Sequence, residues 1–144
     1  MRAAIYGFLL LSAAGPACAF EFVSVAEPAI LYDAPSLKAR KLYVATRYLP
    51  LEQIVSLNNW VKVRDKDKHL YWIEKRALSS KHFVVVTAAV AAVHEKPDAQ
   101  SATVFMAPQQ LALECQQDAG DGWLKILHAD GTSGYIKATE VWGN

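Results

Sequence analysis

Two cysteines in 144 residues, Cys18 and Cys115, are too few for a disulfide framework. Charge of one sign is also missing. Fifteen Lys and Arg stand against fourteen Asp and Glu, which excludes the basic excess of a nucleic-acid binder. Long apolar runs are absent: "AAIYGFLLLSAA" (3–14) and "FVVVTAAVAAV" (83–93) both fall short of the roughly 20 residues that span a bilayer. The second suits a pair of buried strands, so no membrane span is expected. The four histidines, His69, His82, His94 and His128, lie at no metal-ligand spacing from one another or from a cysteine, so no metal and no cofactor are expected. "DAGDGW" (118–123) lacks the alternating oxygen ligands and the glutamate of an EF-hand loop and reads as a turn. Cys115 sits in the alternating run "LALEC" with no adjacent cation to lower its pKa. It reads as buried and inert, and the chain as a protein without catalytic machinery.

What is present begins with an export signal. Arg2 precedes the first apolar run, and Ala17-Cys18-Ala19 supplies small residues at the cleavage positions. Residues 1–19 therefore read as a signal peptide cleaved after Ala19, giving a periplasmic or secreted protein. Lipidation at Cys18 is disfavoured, because Gly15, next to Pro16, stands three places earlier where an aliphatic residue is wanted. Cleavage removes Arg2 and leaves fourteen cations against fourteen anions.

The remainder is written twice. An offset of 62 sets Pro97 on Pro35, Phe105 on Tyr43, Leu111 on Leu49, Leu113 on Leu51 and Glu114 on Glu52. One inserted residue then sets Trp123 on Trp60, Lys125 on Lys62, Tyr135 on Trp72, Ile136 on Ile73 and Val141 on Leu78. A match of this length with one insertion indicates internal duplication. The units are residues 20–80 and 81–144, joined by "SSKH" (79–82).

Each unit reads as all-β. "WVKV" and "WLKI" alternate cleanly. Asp130-Gly131 is a short hairpin signal. The matching "RDKDKH" is charged and lacks glycine, which predicts a longer or looser turn. "SLKARKLYVATRY" could form a short helix by composition, although Pro108 in the second copy weakens that reading. Units of 60 residues bury only about 60% of their unfolded surface, and neither has a disulfide or metal staple. The two are therefore expected to pack on each other.

The order and spacing of these motifs resemble those of the bacterial SH3-like domain. The first copy shows "ILYDAPS" (30–36), "LPLEQI" (49–54), "NNWVKV" (58–63) and "HLYWI" (69–73). The second shows "AVHEKPD", "LALECQ", "DGWLKI" and "GTSGYI". The resemblance implies two small barrels in tandem after the signal peptide. Departures are informative. Asn59 and Tyr71 replace glycines of the pattern in unit one, and Asn59 is the non-glycine residue best suited to left-handed backbone. In unit two His94 replaces the early Tyr, so that unit is expected to bind poorly or differently.

The resemblance further implies a ligand groove lined by aromatic residues, for which the candidates are Tyr32, Trp60, Tyr71, Trp72, Trp123 and Tyr135. Trp60 and Trp123 are expected to fill or roof the barrels, with an exposed ring face as the alternative. Tyr43 and Phe105 read as packing residues. Unit one carries ten cations and seven anions, unit two four and seven. Such opposite signs could orient docking of the units, or of two molecules head to tail, but exposed pairs contribute only ~0–1 kcal/mol each. The implied ligand is a cell-wall peptide, the peptidoglycan stem, or an envelope protein. The alternative is a periplasmic adaptor that grips a protein partner and no wall polymer. Oligomeric state is left open.

Overall fold

A computed structural model describes residues 21–144. The signal segment, its cleavage site and Cys18 lie outside the described residues. Unit one forms β1 (Glu21–Val25), β2 (Ala29–Tyr32), β3 (Lys41–Ala45), β4 (Pro50–Ser56), β5 (Trp60–Arg64), β6 (Leu70–Glu74), a 3-10 turn (Lys75–Ala77) and β7 (Leu78–Ser79). Unit two repeats the series as β8 (Phe83–Val86), β9 (Val90–His94), β10 (Thr103–Pro108), β11 (Ala112–Gly120), β12 (Trp123–Leu127), β13 (Ser133–Lys137), a 3-10 turn (Ala138–Glu140) and β14 (Val141–Trp142). The strand orders are β3-β2-β6-β5-β4-β1-β7 and β10-β9-β13-β12-β11-β8-β14, one topology written twice.

Alternation decides which side of each strand is buried. Val61 and Val63 of β5 point inward with Leu31, Leu51 and Ile73, while Trp60, Lys62 and Arg64 point outward. Val84, Val93, Leu113, Ile126 and Ile136 form the second core. The cores are separate clusters, so each sheet folds over itself to cover its own inner face. The duplication extends to backbone geometry. Tyr48 and Gln110, 62 residues apart, both take positive φ, 70° and 73°, and their N–H groups donate to Val25 and Val86 respectively.

Three local expectations are corrected. The turn at 65–69 is as short and tight as its glycine-bearing counterpart. Asp65 N–H donates to the His69 carbonyl and Lys68 N–H to that of Asp65, as His128 and Gly131 do in unit two. Two devices replace glycine: Lys68 itself takes φ 72°, and Asp65 Oδ1 accepts from the backbone of Asp67 and His69, both at 2.9 Å. Asn59 is not among the positive-φ residues, because the Leu57–Trp60 turn closes without left-handed backbone there. Finally, residues 36–39 bend and Lys41–Ala45 is strand, so "SLKARKLYVATRY" contains no helix. Its β-branched and aromatic part is claimed by pairing with β2.

The units do pack together, through rings and backbone. Tyr48 stacks on Phe83 at 4.5 Å between centroids. Trp142 meets Phe22 edge-on at 5.2 Å. Ser24 Oγ donates to the Lys81 carbonyl at 2.7 Å, and the Phe22 ring stacks on that of His82 at 6.5 Å between centroids. The ion pairs Arg40–Asp33, Arg64–Glu52, Lys66–Asp67, Arg76–Glu74 and Lys81–Glu114 each close within one unit.

Candidate functional site

A groove of about 360 Å³ opens at this seam. Leu31, Ala45, Leu49 and Pro50 of unit one and Val85 of unit two supply its apolar surface. Three rings wall it: Tyr43, Tyr71 and Trp142. Tyr71 lies on the inward side of β6, opposite Val63, and is long enough to reach from the core to the groove. Tyr43 on β3 meets it edge-on, 5.8 Å between centroids, and stays 64% exposed. Trp142 comes from β14, anchored by Phe22.

The rim is the tight turn at 65–69. Asp65, Lys66, Asp67 and His69 all border the groove. Lys66 Nζ pairs with Asp67 at 3.0 Å, and His69 Nδ1 lies 3.5 Å from Asp65 Oδ2. Burial, and then the Asp65 carboxylate beside it, hold the Tyr71 phenol above its usual range. The groove thus offers aromatic faces, an apolar floor and a rim bearing both charges, a combination suited to binding a short peptide.

The six sequence-derived candidates do not converge. Only Tyr71 borders the seam groove. Tyr32 is 4% exposed, its ring edge-on to Trp60 at 5.3 Å. Trp60 is half-buried on the outer face, in a shallow pocket of about 250 Å³ with Glu74 and Arg76. Trp72 is half-buried with the Lys62 ammonium 5.9 Å from its ring centroid. In unit two, Trp123 is buried against His94, 5.4 Å and 89°, and Tyr135 is half-buried opposite Lys125. Both tryptophans therefore roof the outside of their sheets rather than fill the cores.

Sequence reasoning passed over Tyr43, Trp142 and the charged turn. The signal lay in breaks of the repeat. At offset 63, Tyr71 faces Gly134 and Trp142 faces Ser79; these mismatched positions build the groove. Cys115 is half-buried, and burial is the chief cause that raises its thiol pKa. Among the described residues, no three His, Cys, Asp or Glu side chains gather closely enough to hold a metal.

No curated protein matches the sequence. Two solved structures resemble the fold at low identity. NlpC2 from Trichomonas vaginalis gives a TM-score of 0.39 at 16% identity, covering 87% of this chain and 48% of that one. NlpC1 from Trichomonas vaginalis gives 0.40 at 17%, covering 96% and 51%. The chain spans about half the length of these structures. The family model of the bacterial SH3 domain matches twice, at residues 25–80 and 88–143. Together with the doubled sheet topology, this establishes the chain as a tandem member of the bacterial SH3 domain family.

Proposed function

We propose that this is an exported, non-catalytic binding protein that takes a cell-envelope peptide, the peptidoglycan stem peptide, in the seam groove. One observation carries the reading: rings from β3, β6 and β14, hence from both units, surround one groove beside a charged turn. Aromatic rings provide large contact area at low entropic cost. The volume lies near the lower end of the about 300–1,000 Å³ usual for small ligands, which suits a few residues of peptide. The raised pKa of the Cys115 thiol speaks against a thiolate nucleophile.

The test is co-sedimentation with purified sacculi, followed by titration of a synthetic stem tetrapeptide. Wild-type protein is expected in the pellet. Tyr43→Ala removes an exposed ring, so binding should weaken about tenfold, ~1.4 kcal/mol, with melting unchanged. Leu37→Ala, exposed and outside the groove, serves as the control that retains binding. Wild-type protein left in the supernatant overturns the wall-peptide reading in favour of a protein-binding adaptor. Retention unaffected by Tyr43→Ala moves the site away from the seam.

A further inference from the structure

The two sheets each have one long terminal strand, β3 and β10, while the opposite ends are the two-residue β7 and β14. A terminal strand carries a row of N–H and C=O groups on its outer side and is a template for further pairing. Both strands keep large apolar side chains in solvent. Tyr43 and Val44 are 64% and 67% exposed on β3, Val104 and Met106 42% and 56% on β10.

Charge divides at these same edges. Lys38, Arg40, Lys41 and Arg47 flank β3, and all are exposed. Their counterparts in unit two are Gln100, Ala102, Thr103 and Gln109, while Ser36 becomes Asp98 and Glu95 keeps the charge of Asp33. Lys38 and Lys41 have no carboxylate partner among the described residues, and Arg47 lies over the Tyr48 ring at 4.8 Å. Glu95 and Asp98 are likewise exposed, with the exposed Lys96 between them, so that this flank stays net negative by one charge. Arg40 is paired with Asp33 inside unit one at 3.6 Å, while the units themselves are joined by the ring contacts of Tyr48, Phe83, Phe22 and Trp142.

We propose that β3 of one molecule pairs edge to edge with β10 of a second copy, the basic flank of one facing the acidic flank of the other. The contact is heterologous, because the two patches differ. Repetition therefore builds a ring or an open chain of molecules with continuous sheet across each junction. Charge orients the encounter, and the strand ladder with Tyr43, Val44, Val104 and Met106 holds it. The proposal does not rest on the wall-peptide reading.

Sedimentation velocity of the protein over a concentration series, in about 50 mM and about 500 mM salt, tests this. The sedimentation coefficient should rise with concentration at low salt and return toward the monomer value at high salt. Two variants then invert one edge each: Lys38→Glu with Arg40→Glu and Lys41→Glu, and Glu95→Lys with Gln100→Lys. All five positions are exposed, and unchanged melting temperatures establish that folding survives. Each variant alone has two edges of like sign and should remain monomeric. An equimolar mixture restores both opposite-sign pairings and should associate as wild type does. A wild type that stays monomeric throughout the low-salt series overturns the proposal, as do variants that self-associate unaided or a mixture that remains monomeric.

Discussion

The two units share topology, register and the left-handed positions Tyr48/Gln110 and Lys68/Gly131, yet the ring-walled groove is built mainly on unit one. The difference begins at one position of the last long strand, β6 in unit one and β13 in unit two. Unit one has Tyr71 there, and its ring meets an outward-standing Tyr43. Unit two has Gly134, whose missing side chain lets β13 come close to β9. A Cβ at this glycine would lie 2.5 Å from Val93 Cγ1 and 2.8 Å from the His94 carbonyl oxygen. Phe105, the counterpart of Tyr43, is half-buried and rests on His128 at 5.5 Å. Duplication thus kept the scaffold and divided the labour: unit one carries most of the groove, and unit two contributes a wall through Trp142.

The largest test of this contrast is Gly134→Ala. Clash with a carbonyl of the neighbouring strand cannot be relieved by rotating a side chain. The cost should be about 3 kcal/mol, read as a lowered urea midpoint. The matching change Tyr71→Phe keeps the ring and should cost less than about 1 kcal/mol. Equal losses at the two positions would mean that the close approach of β9 and β13 is not what separates the units.

Next come the roofing tryptophans. Trp123 is buried and Trp60 half-buried, although both stand edge-on to the residue at the Tyr32/His94 position. Trp123→Ala should cost about 3 kcal/mol and Trp60→Ala about half that, by chemical denaturation. The reverse order would show that exposure is a poor guide to the roof.

Acid sensitivity also separates the units. Glu52 is buried in unit one and receives both Arg64 Nε and a terminal nitrogen, at 2.7 and 2.8 Å. The hydrogen bond from Arg64 lowers its pKa from the ordinary 4.5 despite burial. A folded-state pKa below the unfolded one stabilises fully above about 4.5 and less as the pH falls through the folded value. Glu52→Gln should cost about 2 kcal/mol at pH 7, the cost of breaking a buried pair reduced because Arg64 is partly exposed. The gap between variant and wild type should narrow as the pH is lowered toward 3. Unit two places Glu114 at this position, half-buried and 3.4 Å from Lys81 Nζ. Glu114→Gln should change stability by less than about 1 kcal/mol.

The architecture was legible because alternation and repeat are one-dimensional signals: "WVKV" and "WLKI" state which side is buried without knowledge of neighbours. The groove was not, because it arises between strands far apart in the chain. Tyr43 looked like packing since Phe105, its counterpart, does pack. Only the Gly134–Tyr71 mismatch shows that the same ring position has different space beneath it. Trp142 was missed for a related reason, as Ser79 at its repeat position drew no attention. The glycine-free turn was misread as loose because side chains can replace glycine by accepting backbone hydrogen bonds, a possibility composition does not display.

That turn supplies the smallest and most local test. Lys68 and Gly131 occupy the same position with φ 72° and 91°. A residue with Cβ loses roughly 1–2 kcal/mol in this conformation, while glycine loses more chain entropy on folding, roughly 0.5–1 kcal/mol. The difference favours glycine, so Lys68→Gly should raise stability by about 0.5 kcal/mol and Gly131→Ala should lower it by about 1 kcal/mol. The second value is larger because the counterpart of Asp65 is His128, whose Nδ1 accepts a single long hydrogen bond from the Asp130 N–H at 3.4 Å, whereas the Asp65 carboxylate ties two backbone N–H groups across its own turn; Asp130 Oδ1 in addition accepts from the Thr132 N–H at 2.8 Å. Thermal melts of the two variants would show whether the Asp65 brace offsets the strain at Lys68. A loss of stability in Lys68→Gly would mean that the lysine side chain, and not the carboxylate, holds this turn in shape.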